Sequence, residues 1–399
     1  MDFIIKVAYD CNLNCSYCYE KENNKKRQSF SLDEIEIIFH KIYEYYSINN
    51  PKERLNFCWH GGEPMLMGIE FYRNIMRLQQ KIFGGRIDWH NSMQTNLALL
   101  DDEALGFLKN NKNTFCVGVS FDFYGDERIM KNGVSSAEIV FNNMQKLYEI
   151  YGCLGILTVL TRSNMKYLSG ISDFIAQNNV TISFHPEFKP SFIKGDAFKN
   201  HAFISEEEYC GSLSLLIDKW WHNKNALGVI RNVIAIMKAI LNNLNYVQSK
   251  HCNEKQVFLK PGGDVYPCDH INSMLCGNIF RDSLENILSS PCRLRVTSRY
   301  KIIQKKLCKG CAVVNYCVGG CGYGKISNHE NVCDKDPFCR ANYFIINKII
   351  NILNSEGAIN KNKQITGKGI KLLGLIENFE KNGVFKRSQI SQSQGRGRH

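Results

Sequence analysis

The sequence lacks features that would place the protein in a membrane or outside the cell. Its longest apolar stretch, residues 226–244, contains Arg231, Lys238 and three asparagines, so it falls short of the roughly 20 apolar residues that span a bilayer. Residues 1–9 have neither a cationic start before a long apolar region nor a small-residue cleavage site, so they do not resemble a signal peptide. We therefore expect a soluble, cytoplasmic protein with no membrane partner.

Internal repeats and recognisable nucleic-acid-binding motifs are also absent. The net charge is +12, but from Lys361 onward nine Lys and Arg residues stand against two Glu residues, so about seven of these charges belong to the last segment. A charge excess concentrated in one segment, without a binding motif, is weak evidence for a polyanionic partner. We expect no nucleic-acid partner.

The chain has 399 residues, of which 44% are hydrophobic, and this is enough for two or three domains. Its first half alternates short apolar runs with amphipathic stretches. The apolar runs predict strands at residues 3–9, 55–59, 87–93, 115–121, 154–160 and 180–184. Between them lie predicted helices, such as residues 31–46, where Ser31 and Glu34 form a capping-box pattern. Six strand–helix units in order predict an α/β fold with a partial (β/α)6 TIM-type barrel.

Polar or glycine-containing segments directly follow the six apolar runs. They are CNLNCSYC, HGGEP, QTN, SFD, TRSN and HPE, beginning at Cys11, His60, Gln94, Ser120, Thr161 and His185. The C-terminal strand ends of a parallel barrel share one face, and the chemistry of such folds lies there. The sequence therefore predicts one shared site.

Seventeen cysteines in a cytosolic chain favour metal binding over disulfides, since that compartment keeps thiols reduced. Cys11, Cys15 and Cys18 are spaced C-x3-C-x2-C. Such thiolates can hold three corners of a 4Fe-4S cluster and leave one iron open. On spacing alone, a zinc site or buried unreactive thiols are equally good alternatives. Residues 61–63, Gly-Gly-Glu, offer bare backbone and a carboxylate to a ligand's ammonium group, or else form a tight turn.

The cysteine triplet with Tyr17 before its third cysteine, followed by GGEP, resembles the radical S-adenosylmethionine (SAM) superfamily over about residues 1–345. The resemblance implies that the triplet holds a 4Fe-4S cluster whose fourth iron is chelated by the amine and carboxylate of SAM. One electron would then cleave SAM to methionine and a 5′-deoxyadenosyl radical, which abstracts a hydrogen atom from the substrate.

The same resemblance places six residues around SAM: Tyr17, Gly61, Gly62, Glu63, Ser120 and Asp122. It implies that Glu63, with the backbone of the two glycines, contacts the methionine amine. Tyr17 would pack near the adenine, and Ser120 and Asp122 would approach the methionine and ribose. The superfamily usually has Gly directly after this Asp, whereas the chain has Phe123.

A second group of cysteines follows in the last third of the chain. Its spacing is Cys252-x10-Gly263-x4-Cys268, then Cys308-x2-Cys311-x5-Cys317-x3-Cys321, then x17 to Cys339. The C-x2-C pair alone favours structural zinc, but the seven cysteines together resemble the SPASM domain, which carries two auxiliary 4Fe-4S clusters. That resemblance assigns the outer cluster to Cys308, Cys311, Cys317 and Cys339, and the inner cluster to Cys252, Cys268 and Cys321.

The inner set is one ligand short. Anaerobic sulfatase maturases, which the chain resembles in GGEPMLMGIEFY, NSMQTN and DVYPCD, have an extra cysteine between the positions of Cys252 and Cys268, and this chain has none there. Cys276 or Cys333 could fill the gap, or the iron could stay open to a substrate group.

Asp269, next to Cys268, aligns with the maturase carboxylate that takes the proton as a substrate radical is oxidised, so it is the candidate catalytic base. A carboxylate in a turn is the alternative. His60, His185 and His270 are weaker candidates, because hydrogen-bonded structural histidines are more common than acids or bases.

These observations predict a radical SAM/SPASM maturase that oxidatively modifies a residue in a ribosomally made peptide or in a protein. WHGGEP and the incomplete inner ligand set favour a thioether or carbon–carbon cross-link. Asp269 and the overall layout favour the alternative, an anaerobic sulfatase maturase that makes formylglycine from Cys or Ser. A non-catalytic iron–sulfur protein that binds peptides is a remote alternative.

The expected cofactors are three 4Fe-4S clusters and SAM, and the expected partner besides the substrate is a flavodoxin- or ferredoxin-type electron donor.

The predicted domain boundaries follow the same division. We expect the radical SAM partial barrel at 1–205, a helical bridge at 206–250, the SPASM domain at 251–345, and a C-terminal helix with a basic flexible tail at 346–399. The Asn-, Lys-, Gly- and Ser-rich composition after about Gly357 predicts a mobile segment.

Overall fold

A ten-stranded, mainly parallel sheet forms the centre of the protein. The structure is a computed structural model and describes residues 1–20, 28–124, 127–187, 201–243, 254–270, 274–317, 319–321, 336–382 and 385. The strands are β1 Asp2–Ala8, β2 Leu55–Gly61, β3 Trp89–Thr95, β4 Phe115–Ser120, β5 Leu154–Leu160, β6 Val180–Pro186, β7 Val229–Ile230, β8 Gln256–Leu259, β9 Asp264–Tyr266 and β10 Gly277–Asn278. The helices are α1 Leu32–Asn49, α2 Ile69–Phe83, α3 Asp102–Asn110, α4 Ala137–Tyr151, α5 Leu168–Gln177, α6 Glu206–His222, α7 Arg231–Leu241, α8 Leu284–Leu288, α9 Pro291–Lys306, α10 Val314–Cys317, α11 Cys339–Ser355 and α12 Gly367–Asn382.

All six strands that the apolar runs predict are present as β1 to β6, and each pairs in parallel with the next. The strand order is β10-β9-β8-β1-β2-β3-β4-β5-β6-β7, so the sheet begins and ends in short edge strands and the barrel is partial. The predicted capping box at the start of α1 is also confirmed, because Ser31 and Glu34 bond reciprocally to each other's backbone. The α/β class and the partial barrel are therefore confirmed.

Aromatic side chains fill the core between the sheet and the helices. The rings of Phe57 and Trp59, from β2, stack at 6.2 Å, and Phe83, from α2, lies 5.7 Å from Phe57. All three side chains are fully buried, and such offset aromatic contacts stabilise beyond the area that they bury. Within the described ranges, no helix is both long enough and apolar enough to cross a membrane.

The first strands of the cysteine-rich region extend the barrel sheet. β8 pairs in parallel with β1, with Asp2 opposite Gln256 and Ile5 opposite Leu259, and β9 and β10 continue as antiparallel neighbours. The segment after β9, which carries Cys268, therefore lies beside the strand that leads into the first cysteine loop. This shared sheet brings the two cysteine-rich parts of the chain together.

The prediction of a mobile segment after about Gly357 is wrong as far as Asn382. Residues 367–382 form α12, whose Leu372 and Ile376 are buried, and the chain continues to Phe385, whose ring stacks on Trp220 at 6.3 Å. Residues four positions apart lie on one face of a helix, so Leu372 and Ile376 form a buried apolar face of α12. Residues 386–399 lie outside the described part of the chain.

Replacing Ile376 by Ala tests whether this helix is held by its apolar face. Removing a fully buried Ile side chain should lower the free energy of opening of α12 by about 2–5 kcal/mol, measured by amide hydrogen exchange. Ile370→Ala is the matched control, because Ile370 lies on the same helix and is 62% exposed. Equal exchange rates in the two variants would show that α12 does not depend on this packing.

Candidate active site

Cys11, Cys15 and Cys18 lie on the loop that follows β1. Burial raises the pKa of Cys11 to about 12, and the neighbouring Cys15 adds to that effect. Burial also raises the pKa of Cys18 to about 12, with Cys15 the next cause and Cys11 a further one. The three thiols are therefore near one another, and none of them forms a disulfide.

This donor set fits a 4Fe-4S cluster. The three sulfur ligands come from one short loop, which matches the sites that hold such clusters. In the part of the chain that the structure describes, no group of three or more His, Cys, Asp or Glu side chains is arranged to hold a single metal ion. Thiolates of a cubane cluster bind different irons, so they stand further apart than the ligands of one ion.

Gly61 and Gly62 bring the loop after β2 against the end of β1. The backbone N–H of Gly62 donates to the carbonyl oxygen of Ala8 at 2.9 Å. A Cβ on Gly62 would lie 2.0 Å from the carbonyl oxygen of Asp10, and one on Gly61, whose φ is +138°, would lie 2.3 Å from that of Ala8. These glycines therefore permit close contact between two backbones, a role that the sequence interpretation missed.

We expect Gly62→Ala to displace the first cysteine loop and to slow SAM cleavage by about 10²-fold, since a shift of about 1 Å at a reacting centre has effects of that size. The measurement is the rate of 5′-deoxyadenosine formation, together with iron content. Gly106→Ala is the control, because a Cβ there meets nothing within 4 Å. A Gly62→Ala rate equal to that of the control would contradict the steric argument.

The Glu63 carboxylate is buried and connects the loop after β2 to the end of β3. It accepts hydrogen bonds from the Thr95 hydroxyl at 2.6 Å, the Asn96 backbone at 2.8 Å and the Met65 backbone at 2.9 Å. Burial raises its pKa, and the three donors oppose that shift. Glu63 thus has a structural role at the strand ends, and its contact with the methionine amine stays a prediction.

Tyr17 and Asp122, both predicted to lie near SAM, are hydrogen-bonded to each other. Arg128 donates from Nε to Oδ2 of Asp122 at 2.9 Å, and its guanidinium group lies 5.7 Å from the centre of the Tyr17 ring. Burial raises the pKa of Tyr17 well above its usual value. Ser120 accepts a hydrogen bond from Gln94 at 2.8 Å. These contacts hold the first cysteine loop against the end of β4.

Two of the thiols assigned to the outer auxiliary cluster influence a third, that of Cys317. Burial raises the pKa of Cys317 to about 12, and Asp336, Cys339 and Cys308 add to the effect. Cys311 donates its backbone N–H to the carbonyl oxygen of Cys308 at 3.0 Å. The structure therefore places Cys308 and Cys339 near Cys317, and the role of these cysteines as ligands of the outer cluster stays a prediction.

The inner set is described only in part. Cys252 lies outside the described residues, and Cys268 follows β9. Cys321 donates its backbone N–H to Oδ2 of Asp336 at 2.7 Å, which places it beside the outer set. Its ligand role stays a prediction, as does that of Cys268.

Cys276, a candidate fourth ligand of the inner cluster, contacts a different cysteine. Its sulfur lies 3.5 Å from that of Cys292, and the residue is 8% exposed. Cys333, the other candidate, lies outside the described residues. The contact with Cys292 gives no support to Cys276 as a cluster ligand.

Asp269 lies within a buried group of charges between β1 and the cysteine-rich region. Its Oδ1 is 2.9 Å from Nζ of Lys6 and 3.6 Å from Nζ of Lys260, while Tyr19 donates its hydroxyl to Oδ2. Lys6 also pairs with Glu20. Burial alone would raise the pKa of Asp269, but Lys6 and Lys260 outweigh it and hold that pKa well below the usual range. Asp269 is therefore a carboxylate at neutral pH.

The candidate histidines are neutral at the same pH. Burial lowers the pKa of both His185 and His270 to about 4, and it also lowers the pKa of His60. Nδ1 of His60 is 4.0 Å from Oδ2 of Asp269. The His270 ring lies 4.1 Å from the ring of Tyr19. His60 and His270 thus lie in the group around Asp269, and neither adds a charge to it.

Sequence reasoning missed Lys6, Tyr19, Glu20 and Lys260. The sequence did contain one indication of these residues. Lys6 interrupts the apolar residues of β1 (FIIKVA), and Lys260 directly follows the apolar end of β8. A lysine inside a buried strand requires a charged partner. The identity of that partner is not visible in a single sequence.

Comparisons with known proteins agree with these observations. The family model of the Radical SAM superfamily matches residues 5–175, and the SPASM model, an iron-sulfur cluster-binding domain, matches residues 251–312. A cysteine-type anaerobic sulfatase-maturating enzyme from Clostridium perfringens (strain 13 / Type A) is 23% identical over 375 residues, which are 89% of this chain and 99% of the relative. A serine-type anaerobic sulfatase-maturating enzyme from Bacteroides thetaiotaomicron is 29% identical over 350 residues, 80% of this chain and 82% of the relative.

A solved structure has the same fold. The chain described as native anSMEcpe with bound AdoMet and Cp18Cys peptide superposes with a TM-score of 0.74 at 23% identity, covering 89% of this chain and 99% of that chain. The match to the Radical SAM model contains Cys11, Cys15 and Cys18, and the match to the SPASM model contains part of the second group of cysteines. The predicted cofactors, 4Fe-4S clusters and SAM, agree with these two families. The chain is a radical SAM enzyme with a C-terminal SPASM domain.

Proposed function

We propose that the enzyme oxidises the side chain of a Cys or Ser residue in a peptide or protein to formylglycine. Curated relatives of both the cysteine type and the serine type are similar to this chain over most of its length. These relatives favour the formylglycine alternative, and they give no support to the thioether or carbon–carbon cross-link that the sequence favoured. The observation that carries the proposal is the buried carboxylate of Asp269, which lies beside Cys268 and contacts the segment after Cys18.

The reaction removes two electrons and two protons from the substrate side chain. When bound, SAM and its cluster supply a 5′-deoxyadenosyl radical that takes one hydrogen atom from the substrate carbon. One electron and one proton then remain to be removed. From Ser, these losses give the aldehyde directly. From Cys, they give a thioaldehyde, which water converts to the aldehyde with release of hydrogen sulfide.

Asp269 takes the second proton in this proposal. Its low pKa makes it a weak base, but the proton on an oxygen or sulfur next to a carbon radical is far more acidic than in the parent alcohol or thiol. Because the Asp269 carboxylate is ionised at neutral pH, it can accept the proton from this oxygen or sulfur. The SPASM cysteines would hold the electron acceptor nearby, and a flavodoxin- or ferredoxin-type protein would supply the electron that starts the reaction.

The proposal is tested with the anaerobically reconstituted enzyme, SAM, a chemical reductant and two peptides: Cp18Cys and the same peptide with Ser in place of the target Cys. We expect an aldehyde in at least one peptide, detected by mass spectrometry after reaction with a hydrazide, and about one 5′-deoxyadenosine for each aldehyde. The peptide with Ala at the target position is the control. An oxidised product that does not react with hydrazide would favour a cross-link, and an unmodified pair of peptides would contradict the proposal.

A further inference from the structure

We infer that Lys6 is a positioning residue that holds the Asp269 carboxylate between the two cysteine-bearing parts of the enzyme. This inference rests on the proposed function, in which Asp269 accepts a substrate proton. Lys6 lies in β1, opposite His60 of β2, and its side chain is 2% exposed. It is thus a lysine whose ammonium group is buried.

The Lys6 ammonium group has partners on both sides. Nζ is 2.9 Å from Oδ1 of Asp269, forms an ion pair with Glu20, and lies 5.6 Å and 5.5 Å from the ring centres of Tyr9 and Tyr19. A buried ammonium group is stable only when it is paired in this way. Its position is therefore fixed by two carboxylates and two aromatic rings.

The two carboxylates belong to the two cysteine-bearing segments. Glu20 is two residues beyond Cys18 in the first loop, and Asp269 directly follows Cys268 in the SPASM domain. One ammonium group thus bridges both segments. A shift of either segment would lengthen one of its ion pairs, so Lys6 couples the position of the proton acceptor to that of the first cysteine loop.

Further contacts define the orientation of the carboxylate. Lys260 lies 3.6 Å from Oδ1 of Asp269 and donates from Nζ to the Asp269 carbonyl oxygen at 3.1 Å. Tyr19 donates its hydroxyl to Oδ2. The Asp269 carboxylate is therefore held at both oxygens, with Lys6 making the shorter ion pair.

Lys6 could neutralise Glu20 or position Asp269, and a variant that removes one charge of each sign distinguishes these two roles. If Lys6 only neutralises Glu20, removing both charges together should restore the enzyme. Lys6→Met with Glu20→Gln removes one charge of each sign and leaves Asp269 with Lys260. If Lys6 positions Asp269, this charge-balanced variant should still be defective in the proton-removal step.

The experiment measures the ratio of formylglycine to 5′-deoxyadenosine with the peptide that the wild-type enzyme oxidises. We expect the charge-balanced variant to keep its iron and to form 5′-deoxyadenosine at a rate within a few-fold of the wild type, while the ratio falls about tenfold or more. Glu20→Gln alone should keep the ratio near the wild-type value, because the Gln side-chain oxygen can still accept a hydrogen bond from Lys6 and the Lys6–Asp269 pair is intact. Lys81→Met, which removes an exposed lysine paired with Glu36, controls for loss of a surface charge.

Two outcomes overturn the inference. A wild-type ratio in the charge-balanced variant would show that Lys6 serves only to neutralise Glu20. Loss of iron and of 5′-deoxyadenosine in that variant, with Lys81→Met unaffected, would show that Lys6 is needed to build the site and does not act through Asp269 alone. Absence of formylglycine in the wild type contradicts the proposed function instead, so the two failures are distinguishable.

Discussion

Replacing Asp269 by Asn should leave SAM cleavage largely intact and lower formylglycine formation by about 10²- to 10⁴-fold, the range over which a general base contributes. Forming the substrate radical requires the first cysteine loop but no base in the SPASM domain. Completing the oxidation requires removal of a proton, and an Asn side chain cannot accept one. The variant should therefore accumulate 5′-deoxyadenosine without product.

Stability is the main confounding effect in this test. The negative charge of Asp269 neutralises positive charge on Lys6 and Lys260. Removing one partner from a buried ion pair lowers the free energy of unfolding by about 3–5 kcal/mol. Iron content and 5′-deoxyadenosine formation show whether the site is still assembled. Asp264→Asn is the matched control, because Asp264 lies in β9 of the same hairpin and its Oδ1 accepts a hydrogen bond from Nδ2 of Asn278 at 2.9 Å. Near-normal formylglycine yield from Asp269→Asn would identify Asp269 as a structural ion-pair residue.

The barrel was predictable because its signal is local. Most of the strands β1 to β6 are short, largely apolar runs, with β3 (WHNSMQT) the most polar of them, and a polar or glycine-bearing segment follows each strand. The face at the strand ends could then be inferred from the parallel topology alone. The cysteine spacings are equally local, so both groups of thiols could be identified from their positions in the sequence.

The remaining features depend on contacts between distant parts of the chain. α12 was missed because the polar composition of the last segment as a whole outweighed the apolar residues of this helix, such as Leu372, Leu375 and Ile376, and the helix packs against α7. The extension of the barrel by β8 was missed because the strand has four residues. A short apolar run of that length does not show which strand it will pair with.

The roles of site residues also depend on tertiary contacts. Sequence reasoning treated Gly62 and Glu63 as groups offered to a ligand, whereas the structure shows them joining β1, β2 and β3 to one another. Asp269 was identified by its alignment with the maturase carboxylate, but the low pKa of its side chain is set by Lys6 and Lys260. Residue type and spacing therefore indicated where the site lies, and the charge balance within it required the fold.

The largest effect is expected from replacing Cys11, Cys15 and Cys18 together by Ala. Three 4Fe-4S clusters contain about twelve irons, and removal of all three protein ligands of one cluster should lower the total by about four. SAM cleavage should fall below detection, because these thiolates are predicted to hold the open iron at which the superfamily binds SAM. The auxiliary cysteines are untouched, so about eight irons should remain.

The matched control is the triple replacement of Cys58, Cys116 and Cys153 by Ala. These thiols lie in β2, in β4 and directly before β5, away from the first cysteine loop in sequence, and they are equally free of disulfides. The control should retain both its iron and its SAM cleavage, measured by iron analysis and by chromatography of 5′-deoxyadenosine. Full iron content in the first variant, or stoichiometric zinc without iron in the wild type, would contradict the assignment of Cys11, Cys15 and Cys18. Because only the first variant removes ligands from the open cluster, a loss of activity confined to it separates cluster binding from a general sensitivity to cysteine replacement.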